Sequence, residues 1–247
     1  MSASEPSPSA TPAPRSAGAP QQNVSFPSAG GTAHGYLALP PTGRGPGVLV
    51  IQEWWGLTEH IADVTRRLAA EGFVALAPDL YGGAVAHDTA EAGRMMGALP
   101  VERGVELLSG AVDYLLGLPE VTSSSVGAVG FCMGGGFVLQ LAATDPRVSA
   151  AVPFYGVIQG ELPDFTGTRA DILGHYGEQD GSVPPESLDA LRAALRKAGV
   201  TPDLRLYPTG HAFFNDRRET YHADAARQAW QSTLGFLRSH LGTTPGR

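Results

Sequence analysis

The sequence predicts an α/β domain with a mostly parallel central sheet and helices on both faces. Two observations carry this. Apolar, β-branched runs such as Val48-Leu49-Val50-Ile51 alternate with segments whose apolar residues recur at helical spacing, with no repeat of fixed period. One strand-like run, Ser125 to Val129, also passes into an apolar helix-like run, Gly136 to Ala143, across the turn Gly130-Phe131-Cys132-Met133-Gly134-Gly135.

Composition sets the outer limits. The chain has 247 residues, 43% apolar and 17% charged, which suits one domain with an ample core rather than a disordered or membrane chain. A net charge of −7, with scattered arginines and Lys197 as the only lysine, argues against nucleic acid as a partner. A single cysteine excludes an intrachain disulfide, so the fold needs no oxidising compartment and a cytoplasmic location is expected. No apolar run is long enough to span a bilayer, so no membrane association is expected. A monomer or small homo-oligomer fits this profile.

The elements follow in order. Met1 to about Gln22 is rich in Ser, Ala and Pro and lacks the apolar stretch of a secretory signal, so a disordered tail is expected, with the domain over 23–247. Val24–Phe26 and His34–Leu39 read as antiparallel edge strands joined at Gly30-Gly31. Val48–Ile51 reads as a strand covered on both faces, ending in Gln52-Glu53-Trp54-Trp55-Gly56. A helix with Thr58 as N-cap carries Ile61, Val64 and Leu68 and stops at Gly72; Phe73–Ala77 is the next strand. Asp79–Pro100 is expected to hold loops and a short helix, with Met95 and Met96 as core filler. Val105, Leu108, Val112 and Leu115 then mark a clear helix.

Past the Cys132 turn, strands are expected at Ala150–Phe154, Ile172–Tyr176 and Leu204–Tyr207. A helix along Leu188, Leu191 and Leu195 separates the last two. The final helix is expected from Asp216, with Glu219 completing a capping box, and should bury Ala226, Trp230, Leu234, Leu237 and Leu241.

The chemistry sits after strand ends, where open parallel sheets place their working loops. The Cys132 turn follows the pattern G-x-S-x-G with cysteine in place of serine. Gly130 and Gly134 relieve the crowding of a strained strand-to-helix turn, and the helix N-terminus favours a thiolate. Asp180, in Gly177-Glu178-Gln179-Asp180-Gly181, and His211, in Gly210-His211-Ala212-Phe213, follow two later strands in the order nucleophile, acid, histidine. A free thiol near pH 7 is mostly protonated. An imidazole can take that proton, and a carboxylate can fix the imidazole's tautomer. Glu178 is the competing acid. Asp180 is preferred because Gly181 and Pro184 should present it at the loop tip, while Asp145 belongs to the wrong end of the sheet. The other histidines, His175 in a strand among them, show no ligand spacing. No metal motif, phosphate loop or dinucleotide fingerprint is visible, so neither metal nor cofactor is expected.

On Gln52-Glu53-Trp54-Trp55-Gly56, Pro78-Asp79-Leu80-Tyr81, the Cys132 turn, Gly177–Asp180 and Gly210–Phe213, the chain from about Asn23 resembles the dienelactone hydrolase (carboxymethylenebutenolidase) family. The resemblance implies an α/β-hydrolase fold and a Cys132–His211–Asp180 triad that hydrolyses a small ester or lactone through an acyl-cysteine. It further implies that Glu53 contacts the resting thiol, and that the N–H groups of Met133 and Trp54 form the oxyanion hole. Trp55, Tyr81, Phe213 and Phe214 would flank the substrate. Two carboxylate-binding arginines of the family are missing from their places, where Gly82-Gly83 and Phe214-Asn215 stand, so neutral substrates are expected. A broader esterase or thioesterase is the alternative within this class. A binding protein that has kept the fold without catalysis is the alternative outside it.

Overall fold

The structure, a computed structural model, describes residues 21–242. The expected tail lies outside the described residues except at its end. There Gln21 donates to Glu59 Oε2 and Gln22 to Asp79 Oδ2, each at 2.6 Å.

The strands are β1 (Val24–Ser28), β2 (Gly31–Ala38), β3 (Gly45–Ile51), β4 (Val74–Pro78), β5 (Val121–Phe131), β6 (Val148–Phe154), β7 (Asp171–Gly177) and β8 (Asp203–Tyr207). They form one sheet in the order β1-β2-β4-β3-β5-β6-β7-β8. β1 pairs antiparallel with β2 and β2 antiparallel with β4; all the remaining pairs are parallel. Of the two expected edge strands only β1 is an edge, because β2 uses its second side to pair with β4.

The helices are α1 (Glu59–Ala70), α2 (Thr89–Gly97), α3 (Val101–Gly117), α4 (Met133–Thr144), α5 (Pro185–Lys197) and α6 (Ala223–Leu241). The alternation of side chains along each strand divides the core in two. Leu49, Ile51, Ala128 and Tyr176 face Leu108 of α3, Phe137 of α4 and Leu188 of α5. Val48, Val50, Val129 and Val152 face Ile61 of α1 and Ala229 and Leu237 of α6. Helices thus cover both faces, and the central strands β3, β4 and β6 are buried almost throughout. This explains their unbroken apolar sequence.

The last helix departs from expectation. It begins at Ala223, with His222 as N-cap accepting from Ala225 N–H at 3.3 Å, and not at Asp216. Consecutive turns occupy the intervening stretch: Asn215, Arg218 and Tyr221 N–H groups donate to the carbonyls of Ala212, Asn215 and Arg218. Burial of Phe213 and Phe214, at 0% and 1% exposure, holds this segment against the sheet and outweighs the local capping signal. Among the described residues no helix is long and apolar enough to cross a membrane.

Candidate active site

Parallel strands put the ends of β3, β5, β6, β7 and β8 along one crest, and each delivers one polar group there. At the end of β5, Cys132 has φ 54° and ψ −117°, and α4 starts at the next residue. A Cβ on Gly130 would meet the Gly134 carbonyl, and one on Gly134 would meet the Ile51 and Gln52 carbonyls, so only glycine permits the turn. Cys132 is also held by its backbone. Its N–H donates to Phe154 O at 3.0 Å, and its carbonyl accepts from Gly135, Gly136 and Val157 at 3.0, 3.2 and 3.0 Å. The half-buried thiol is thereby fixed above the sheet edge at a helix N-terminus.

The loop after β7 turns inward. Asp180 is buried rather than at a loop tip, and Glu178, the rival acid, points to solvent. Asp180 Oδ1 accepts from the N–H groups of Ser182 and Val183 at 2.8 and 3.3 Å. Its Oδ2 accepts from His211 Nδ1 at 2.7 Å. Asp145 lies before β6 at the opposite sheet edge, bound to Ser109 and Arg147.

Burial works against a charge on His211. Hydrogen bonds to Asp180 and Cys132, and the negative charge of both, outweigh it and push the imidazole up to about 10. The structure therefore brings the expected three residues together, with the histidine between sulfur and carboxylate.

Glu53, after β3, is buried, and burial raises its carboxyl above the ordinary range. It accepts from Asn215 Nδ2 at 2.8 Å, a hydrogen bond to the neighbouring amide and not to the thiol. Arg218 adds opposing charge near it, and its guanidinium lies 4.1 Å over the Trp55 ring. Glu53, Trp55, Asn215, Arg217 and Arg218 border a cavity of about 210 Å³. Met133 N–H, first in α4, and Trp54 N–H have no backbone hydrogen-bond partner among the described residues. The half-buried Tyr81 hydroxyl donates to Met133 Sδ at 3.2 Å, and burial raises its pKa above the ordinary phenol range.

Phe213 and Phe214 do not flank a ligand surface. Phe213 packs on Tyr155 and Tyr207, and Phe214 on Phe131, Phe154 and Trp230. The aromatic residues after His211 serve as core here because Ala212, at φ 59°, turns the chain inward. Sequence reading missed Tyr155. It is fully buried at φ 40°, its ring centroid 5.0 Å from that of His211, and burial and the Glu53 charge push its hydroxyl well above the usual range. Its place just after β6 was the available signal.

Comparison with known proteins agrees with this geometry. The family model described as "Dienelactone hydrolase family" matches residues 33–241. A protein of Escherichia coli named as a candidate carboxymethylenebutenolidase is 35% identical over 235 residues, covering 89% of this chain and 87% of that one. A crystal structure from Klebsiella pneumoniae, described as a candidate dienelactone hydrolase, is 34% identical. It superposes with a TM-score of 0.79 and covers 86% of this chain and 95% of that one. A dienelactone hydrolase-like promiscuous phosphotriesterase from metagenomic libraries is 28% identical with a TM-score of 0.79, covering 89% and 97%. With its mostly parallel eight-stranded sheet and this match over most of its length, the chain has the α/β-hydrolase fold and belongs to the dienelactone hydrolase family of hydrolases that act on esters and lactones.

Proposed function

We propose that this hydrolase uses Cys132 as its nucleophile on lactones or small, uncharged carboxylic esters. The observation that carries the reading is the bond from half-buried His211 to buried Asp180, with the imidazole next to a thiol set in a positive-φ turn at a helix N-terminus. His211 takes the thiol proton and Sγ attacks the substrate carbonyl carbon. A C–S bond forms as the carbonyl π pair moves to oxygen, which accepts from Met133 and Trp54 N–H. Collapse breaks the ester C–O bond, and the leaving oxygen receives the proton from His211. Water then gives a proton to His211 and attacks the thioester. The C–S bond breaks, its electron pair returns to Sγ, the acid is released, and Sγ recovers the proton from His211.

Arg218 already adds opposing charge beside buried Glu53, which leaves it less available to a substrate anion. A second reading, a substrate carboxylate held by Arg218, is favoured only by the placement of that guanidinium over Trp55. The test of the mechanism is acid quench during turnover of a methyl ester followed by peptide mass spectrometry. An acyl mass on the Cys132 peptide, absent in Cys132→Ala, is the expected result. Undiminished turnover by Cys132→Ala refutes it.

A further inference from the structure

Strand order gives the nucleophile two different sides. In the sheet β3 and β4 lie on one side of β5, and β6, β7 and β8 on the other. Asp180 and His211 come from the loops after β7 and β8, so the proton relay reaches Cys132 from that side. Trp54 follows β3 and Tyr81 follows β4, on the opposite side. A leaving oxygen must turn toward His211 to receive its proton. The carbonyl oxygen then turns the other way, toward Trp54 and Tyr81.

The loop after β4 holds Tyr81 firmly. Buried Asp79 accepts from Tyr81 N–H at 2.9 Å, and from Gly83 N–H and Gln22 Nε2 at 2.6 Å each. Leu80 N–H donates to Gln52 Oε1 at 3.2 Å. The half-buried Tyr81 ring packs, as Trp54 does, against the core cluster that contains Met133. Its hydroxyl donates to Met133 Sδ at 3.2 Å, on the residue next to the nucleophile. A thioether is a weak acceptor, so this bond is readily exchanged for one to a charged oxygen. Burial, and then the negative charge of Cys132, raise the pKa of the hydroxyl above the ordinary phenol range. It therefore keeps its proton at neutral pH and acts as a donor only.

We propose that Tyr81 is a further catalytic residue, whose hydroxyl leaves Met133 Sδ and donates to the substrate carbonyl oxygen as that oxygen becomes an oxyanion. This rests on the thiol-hydrolase reading and adds a third donor to the N–H groups of Met133 and Trp54. The carbonyl π pair moves to oxygen as before, and Tyr81 retains its proton throughout. The bond strengthens as charge develops, so it favours the transition state over the bound ester and raises kcat.

The experiment measures kcat and KM for phenyl acetate in wild type, Tyr81→Phe and Met133→Leu, together with the affinity for trifluoroacetone. Addition of Sγ to this ketone moves its π pair to oxygen and the thiol proton to His211, so the adduct carries the same oxyanion without turnover. Tyr81→Phe should lower kcat by roughly 10- to 150-fold, leave KM unchanged and weaken the ketone by a similar factor, as expected for one hydrogen bond to a charged group. Met133→Leu breaks the same resting bond but keeps the backbone N–H, so its loss in kcat should be much smaller. Tyr81→Leu is the second variant if the first does not fold. Folded Tyr81 variants that keep both kcat and ketone affinity, or that lose through KM alone, overturn the proposal. So does a loss in Met133→Leu as large as that in Tyr81→Phe, which would mean that the hydroxyl acts only by holding Met133. Turnover by Cys132→Ala at the wild-type rate sinks the thiol reading and not this one, because an oxygen nucleophile makes the same oxyanion and kcat of Tyr81→Phe still decides. If wild type turns over no phenyl acetate, ketone affinity decides by itself, and no adduct with wild type overturns both.

Discussion

His211 Nδ1 donates to Asp180 Oδ2 at 2.7 Å, joining two loops whose residues lie 31 apart in sequence. Asp180 is the fully buried partner and is already fixed by two backbone N–H groups, so it orients the ring rather than following it. Asp180→Asn keeps the shape and removes the charge. It should lower kcat/KM by roughly 10²–10⁴. It should also move the His211 titration, now about 10, to lower pH, because one of the charges that favour the imidazolium is gone. NMR titration of the ring checks the direction, and an unmoved titration would show that Asp180 is only a loop residue.

Cys132→Ser should fold, since the strained turn depends on Gly130 and Gly134 and not on sulfur. Its rate should nevertheless fall by about 10² or more, because a hydroxyl is far harder to deprotonate than a thiol. Full activity in Cys132→Ser would mean that the site is not tuned to sulfur. Iodoacetamide should label native wild type at neutral pH and leave native Cys132→Ser unlabelled.

Glu53 is tied to Asn215, so Asn215→Leu should free the carboxylate and leave it buried without its amide donor. Loss of a hydrogen bond to a buried carboxylate should cost about 1.5–3 kcal/mol of stability. The rate of thiol alkylation should change with it if Glu53 acts on Cys132. Glu53→Gln separates the two effects: an alkylation rate and turnover equal to wild type would leave Glu53 a structural role alone.

Substrate charge gives a further outcome. A neutral methyl ester of a lactone acid should be hydrolysed faster than the free carboxylate, and Arg218→Gln should change this preference little. A preference for the carboxylate that disappears in Arg218→Gln would establish the second reading.

His175 predicts a pH dependence of stability. It is buried between Tyr207 and Thr233, which bond its two ring nitrogens at 3.0 and 3.1 Å, and burial lowers its pKa to about 3. The unfolded chain binds a proton here below about pH 6.5 that the folded chain refuses until about pH 3. Stability is therefore lost as pH falls through this window, by about 1.4 kcal/mol per unit from this residue. His175→Gln should flatten the slope of denaturant-derived stability between pH 6 and pH 4 by close to one proton.

The sequence alone determined the α/β class, the order of strands and helices, and the identity and order of Cys132, Asp180 and His211. These rest on short-range physics: β-branched runs that suit buried parallel strands, glycines that permit one strained turn, and loops that follow strand ends. Only the tertiary structure decided which side chains the loops turn inward. It put Asp180 under the loop rather than at its tip, sent Phe213 and Phe214 into the core, and delayed α6 to Ala223. It also gave Glu53 an amide partner 162 residues away. Such choices depend on what each residue meets across the sheet. That is set by packing between segments distant in sequence, and no local pattern encodes it.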